Sequence, residues 1–226
     1  MIFLISIILG LLPSFAWLLF FLQEDRRQPE PRKLIIYTFI AGAAVTFLVL
    51  QMQIFFNIFG PKIGVQTLSP IALFSMAAIE EVFKFGAVYF VIKGRKEFDE
   101  PIDAMIYLIV AALGFAAVEN IASVVQSNGF EVNIGPLETT ALRFVGATLL
   151  HALSSGLVGY YWARSIIARS GYFAAIAAGL FWATLLHSIF NYLIIKFEPL
   201  SLATVFLIFM AVIVLVDFEK LKKLQA

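Results

Sequence analysis

Residues 102–127 read IDAMIYLIVAALGFAAVENIASVVQS. The apolar residues run on continuously instead of alternating, so this is not a barrel strand. The run exceeds the roughly 20 residues that a helix needs to cross a hydrocarbon core about 30 Å thick. Yet Glu119 and Asn120 stand inside it.

Six further stretches are similar in length: 1–22, 34–58, 70–92, 139–162, 172–195 and 199–216. Hydrophobic residues make up 62% of the 226-residue chain and charged residues 14%, against about 25% in soluble domains. That leaves too little charge for a water-soluble exterior and too much apolar surface for disorder. The net charge is +1, so no polyanion-binding face and no nucleic-acid partner are expected. With no cysteine, thiol nucleophiles and thiolate metal ligands are excluded. Seven of the eight prolines fall between spans or at their edges, where no helical hydrogen bond is lost; Pro13 alone lies inside one. The expectation is an all-α, polytopic membrane helical bundle of about seven transmembrane helices. It forms one membrane-embedded domain over 1–226, with its motif core at about 70–195. The first span lacks a basic n-region and an A-x-A site, so it does not read as a cleaved signal peptide.

Basic residues set the direction. Arg26, Arg27, Arg32, Lys33, Lys93, Arg95, Lys96, Arg164, Arg169, Lys220, Lys222 and Lys223 fall on one side; Lys62 and Lys196 fall on the other. The positive-inside rule then puts the N-terminus outside and the C-terminus in the cytoplasm. The outer connections, 59–69 and 128–138, are too short to form a binding domain, so function is expected within the membrane.

Ionisable groups at mid-bilayer are costly, about 2.5–3.5 kcal/mol each on insertion scales. Span three carries Glu80, Glu81 and Lys84. Span four carries Glu119 and Asn120, span five Arg143 and His151, and span six His187 and Asn191. At a rise of about 1.5 Å per residue, Glu80, Glu119, His151 and His187 all lie roughly 13–18 Å below the outer surface. Helices running in alternating directions thus bring their polar residues to one level, which predicts a shared interior site.

Lys84 is four residues from Glu80 and three from Glu81, so it can partner either. Adjacent glutamates point about 100° apart, so both face inward only if protein surrounds that helix. His187 and Asn191 share a face, as do His151 and Ser155. Three glutamates against Lys84 and Arg143 leave one excess negative charge, which a proton, an imidazolium or a cation would balance. Competing structural accounts exist: an ion pair for Glu81 and Lys84, snorkelling for Arg143, helix capping for Asp103, and interhelical bonding for Asn120 and Ser155. There is no H-E-x-x-H, no mid-span aspartate and no G-x-S-x-G. Ser154 and Ser155 beside His151 give only a weak serine-hydrolase signal. What remains is chemistry built from Glu, His and Asn.

Four motifs carry a family resemblance. IEEVFKF at 79–85 has the form E-E-x-x-K, and Phe115 to Glu119 the form F-x-x-x-E. ALRFVGATLLHALSSGLVGYY at 141–161 holds an intramembrane histidine, and LLHSIFNYL at 185–193 reads H-x-x-x-N. In order and spacing they resemble the PrsW family of intramembrane proteases, a branch of the superfamily that includes the CAAX prenyl endopeptidases. Position 147 is Ala where some superfamily members have an aromatic. The resemblance implies a glutamate-dependent peptidase that cuts a membrane-anchored anti-sigma factor on its extracytoplasmic side. It also implies an essential Glu80–Glu81 pair, with Glu119, His151 and His187 beside it.

The expected partners are therefore a single-pass membrane substrate and the lipid bilayer. Glu80 or Glu81 would accept a proton from water, and His187 with Asn191 would donate to the oxyanion. His151 and Glu119 would orient the water or protonate the leaving amine, and Lys84 would hold the glutamates. This mechanism requires no cofactor. One alternative adds zinc on Glu80, Glu119, His151 and His187, making the protein a metalloprotease. Another uses the same groups as a proton relay in a transporter.

Overall fold

The chain turns from coil to helix where its sequence carries start signals. Ser69 caps the helix that begins at Pro70, its hydroxyl accepting from the Ala72 amide at 3.2 Å. Asp103 instead fastens the turn that leads into the next helix, its Oδ2 accepting from the Asp99 and Glu100 amides at 3.1 and 2.8 Å. A computed structural model describes residues 2–25, 28–129, 136–197 and 200–225. The helices are α1 (Ile2–Phe21), α2 (Arg32–Phe59), α3 (Pro70–Ile92), α4 (Asp103–Gly129), α5 (Pro136–Val145), α6 (Ala147–Ala168), α7 (Tyr172–Lys196) and α8 (Leu200–Gln225). A 3-10 turn at Gly60–Ile63 follows α2, and no strand occurs among the described residues. Arg26, Arg27, Pro199 and most of the expected outer connection at 128–138 lie outside the described residues.

Six runs are long and apolar enough to cross a membrane: α1, α2, α4, α5 with α6, α7 and α8. The seventh expected span is α3, which has the length, 23 residues, but carries Glu80, Glu81 and Lys84. Many large side chains face outward, among them Phe47, Phe90 and Phe173, as a lipid-facing surface requires.

Two boundaries differ from the sequence reading, the first being the last span, expected to end at 216, whose helix α8 runs on to Gln225. The span expected at 139–162 is two helices, broken at Gly146, whose φ and ψ of −92° and −100° are not helical. The break frees carbonyls at the end of α5. The Trp17 indole of α1 donates to one of them, Phe144 O, at 2.8 Å.

The centre of the bundle is α4. Its apolar side chains from Ala104 to Ala117 are at most 2% exposed. α1, α2 and α6 pack around it, and α3 fits between α2 and α7. Protein therefore surrounds α3 widely enough for both glutamates to be buried. The α2–α4 contact is close because glycine is available on both sides. A Cβ on Gly42 would lie 1.9 Å from Ala111 O, and one on Gly114 would lie 2.0 Å from Phe39 O.

Gly42→Ala and Gly114→Ala must each push α2 from α4. Each is expected to cost about 1–3 kcal/mol, read as a lower melting temperature in detergent. An unchanged melting temperature would show that the two helices are not in such contact.

Candidate active site

α3 presents three charged groups to the interior. Lys84 Nζ donates to Glu81 Oε1 at 2.9 Å and lies 3.8 Å from Glu80 Oε2, so the lysine pairs chiefly with Glu81. Glu81 receives three more donors. Ser154 Oγ reaches Oε1 at 3.0 Å, Ser155 Oγ reaches Oε2 at 3.0 Å, and His187 Nδ1 lies 2.8 Å from Oε1. Both serines are on α6 and the histidine on α7, so this one carboxylate ties three helices together.

Glu80 is held differently. Its Oε1 accepts from Gln53 Nε2 of α2 at 2.9 Å. Its Oε2 is buried and has no hydrogen-bond partner. That oxygen lies 3.7 Å from His151 Nδ1 and 3.7 Å from His187 Nε2, too far for direct hydrogen bonds. At these separations one water oxygen or ion can touch all three atoms.

Partners fix the histidine tautomers. A carboxylate only accepts, so His151 donates from Nε2 to Glu119 Oε2 at 2.9 Å. Its Nδ1 lone pair then accepts from Lys84 Nζ at 2.8 Å. His187 donates from Nδ1 to Glu81, leaving Nε2 directed at Glu80. The imidazole rings stand edge to face with centroids 5.1 Å apart, and Phe115 closes over His151 and the Lys84 ammonium.

The outer wall is polar. Glu119 Oε2 also accepts from Arg143 at 3.2 Å, and Arg143 Nε donates to Asn120 Oδ1. Asn120 in turn donates to Thr148 Oγ1 at 3.0 Å. Arg143 therefore belongs to the site's wall instead of snorkelling toward an interface. The Glu119 side chain is 31% exposed and the Glu81 side chain 0%, so the cluster opens past Glu119 and closes behind Glu81. An apolar cavity of about 420 Å³ lies between α3 and α7, lined by Pro70, Phe74, Leu185, Ser188 and Tyr192.

Of the expected site residues, Glu80, Glu81, Lys84, Glu119, His151 and His187 meet in one cluster. Asn191 is half-buried one turn beyond His187, and among the described residues no hydrogen bond joins it to the cluster. Of the four residues considered for a metal, Glu80, His151 and His187 present ligand atoms within 4.8 Å of one another. Glu119 instead holds the far nitrogen of His151. Sequence reasoning missed Gln53. Three amides, Gln51, Gln53 and Asn57, stand inside the second span, and no motif singles out Gln53. The Ser154 hydroxyl donates to Glu81.

Comparison with known proteins shows the family. Residues 30–216 match a family model described as PrsW family intramembrane metalloprotease. The chain is 30% identical over 212 residues to Protease PrsW of Oceanobacillus iheyensis, covering 93% of each. It is 29% identical over 189 residues to Protease PrsW of Geobacillus kaustophilus, covering 84% of this chain and 79% of that one. Identity to Protease PrsW of Bacillus subtilis is 26% over 179 residues, 78% of this chain and 73% of the relative. No solved structure matches the chain. A multi-pass helical membrane protein with a buried Glu/His cluster, matched over most of its length, the chain belongs to the PrsW family of intramembrane proteases.

Proposed function

We propose that this protein is an endopeptidase that cuts a single-pass membrane protein near its extracytoplasmic end, with Glu80 activating the attacking water. The carrying observation is the unpartnered Glu80 Oε2, buried between His151 Nδ1 and His187 Nε2. Water in that gap can give a proton to Glu80 as its oxygen adds to the scissile carbonyl carbon. The carbonyl becomes an oxyanion, and His187 donates to it from Nε2 when that nitrogen carries a proton. Glu80 then passes its proton to the leaving amide nitrogen as the C–N bond breaks. Gln53 holds the other Glu80 oxygen, so the free one keeps its aim. With all four of its hydrogen bonds made, Glu81 is a positioning group for Lys84 and His187 and not a base. The cavity between α3 and α7 offers an apolar approach for a substrate helix.

A second reading rests on the same atoms. Each histidine gives its far nitrogen to a carboxylate, Glu119 or Glu81, the usual support for a metal-ligating imidazole. With Glu80 they form a Glu/His/His donor set suited to zinc, and the unpartnered Glu80 oxygen fits such a role. Bound there, zinc would polarise the carbonyl and acidify water. Lys84 would have to release His151 Nδ1 to free that nitrogen as a ligand.

The favoured substrate is the kind implied by the family resemblance, a membrane-anchored anti-sigma factor. Co-expression with candidate single-pass proteins should yield a fragment with wild type. Glu80→Gln should reduce that fragment at least about a hundredfold while the protein stays folded; normal turnover by this variant ends the proposal. Cleavage that survives 1,10-phenanthroline keeps Glu80 as the base, whereas loss restored by added zinc makes it a ligand. Glu81→Gln should behave differently from Glu80→Gln. It leaves the fully buried Lys84 without its closest counter-charge, so stability should fall by about 3–5 kcal/mol. Equal melting temperatures for the two variants would contradict this division of roles.

Direction in the membrane is part of the same proposal. A C-terminal reporter should read as cytoplasmic, and an extracytoplasmic reading would move the site to the other leaflet.

A further inference from the structure

Far from the catalytic cluster, three carboxylates converge where the α1–α2 connection meets the start of α4. Asp25, Glu30 and Asp103 each present an oxygen within 4.8 Å of the others. Sixteen residues of α4 separate Asp103 from Glu119, about 24 Å at helical rise, so the two clusters are distinct.

Local hydrogen bonds account for only part of this cluster. Asp103 Oδ2 accepts from the Asp99 and Glu100 amides just ahead of α4, and the Tyr107 hydroxyl donates to Glu30 Oε2. Asp25 is 5% exposed, and its Oδ2 is buried without a hydrogen-bond partner. A buried carboxylate oxygen beside two other carboxylates, with nothing donating to it, offers a ligand position to a cation. A cavity of about 630 Å³ reaches Asp25 and Glu30 past Pro29, Pro31 and Arg32, and provides an entry path.

We propose that Asp25, Glu30 and Asp103 form a binding site for a hard divalent cation, Mg2+ or Ca2+, that ties the α1–α2 connection to the N-terminus of α4. The ligand atoms decide the class. All are carboxylate oxygens, which suit Mg2+, Ca2+ or Mn2+ and not the softer ions that imidazole favours. The spacing is suitable: an ion centred among atoms no more than 4.8 Å apart lies at most about 2.8 Å from each, a few tenths beyond calcium–oxygen contact. Three carboxylates more than neutralise the cation, and Lys222, paired with the neighbouring Glu24, partly offsets the excess. The bound ion replaces mutual repulsion with attraction, so it stabilises this end of the bundle without touching the hydrolytic cluster.

Calorimetry on metal-stripped, full-length protein in detergent tests the site with Mg2+ and Ca2+ titrated separately. Wild type should bind one equivalent of at least one of them. Asp25→Asn and Glu30→Gln, each made alone, should weaken that binding at least about tenfold, while Glu80→Gln leaves it unchanged. In wild type the favoured ion, at about a hundredfold over Kd, should raise Tm by about 5 °C or more. In EDTA, Asp25→Asn should melt no lower than wild type, because it removes an unneutralised buried charge. No binding by wild type overturns the proposal. So does undiminished binding in both carboxylate variants, or binding lost instead in Glu80→Gln.

Discussion

The buried carboxylate of Glu81 holds the interior together. It accepts from Lys84 on its own helix, from Ser154 and Ser155 on α6, and from His187 on α7. A charge in a dry interior is tolerated only when paired and fully hydrogen-bonded. Four donors from three helices meet that condition, and in doing so they set the spacing of those helices. The Lys84 ammonium is likewise enclosed, with Glu81, His151 and the Phe115 ring around it. Saturation of Glu81 is what leaves Glu80 distinct. One glutamate is locked, and its neighbour keeps an oxygen free.

The polar cluster depends in turn on close apolar packing. α4 can lie at the centre only because α1, α2 and α6 approach its backbone, and Gly42 and Gly114 permit the α2 contact. That contact brings Gln53 of α2 to Glu80. The break at Gly146 separates Arg143 from the rigid run of α6, and the arginine turns to Glu119 and Asn120. A continuous helix over the same residues would fix Arg143 and His151 eight residues apart on one rod. The wall of the site is thus assembled from a helix end, where side chains are freer to turn.

Much of the site is legible in the linear order of residues. Glu80, Glu81, Lys84, Glu119, His151 and His187 are too costly in lipid to occur there without partners, so their presence signals a common interior. Their matched depth adds that they meet at one level. Arg143, Asn120 and Ser155 are visible as residues but their roles are not, because hydrogen bonding across helices depends on rotation about each axis. Gln53 leaves no motif. Asp25 and Glu30 lie five residues apart in a helix connection and Asp103 lies 73 residues beyond Glu30 at a helix start, places where acidic residues are ordinary, so nothing in the linear order joins the three.

By itself the sequence determined that this chain is a multi-span helical membrane protein with buried glutamates and histidines, since hydrocarbon solvation depends on composition and span length alone. Only the tertiary structure decided which glutamate is saturated and which is free, which imidazole nitrogen faces the gap, and where the fifth span breaks. Those outcomes depend on distances of a few tenths of an ångström between side chains from different helices, and no one-dimensional pattern encodes them.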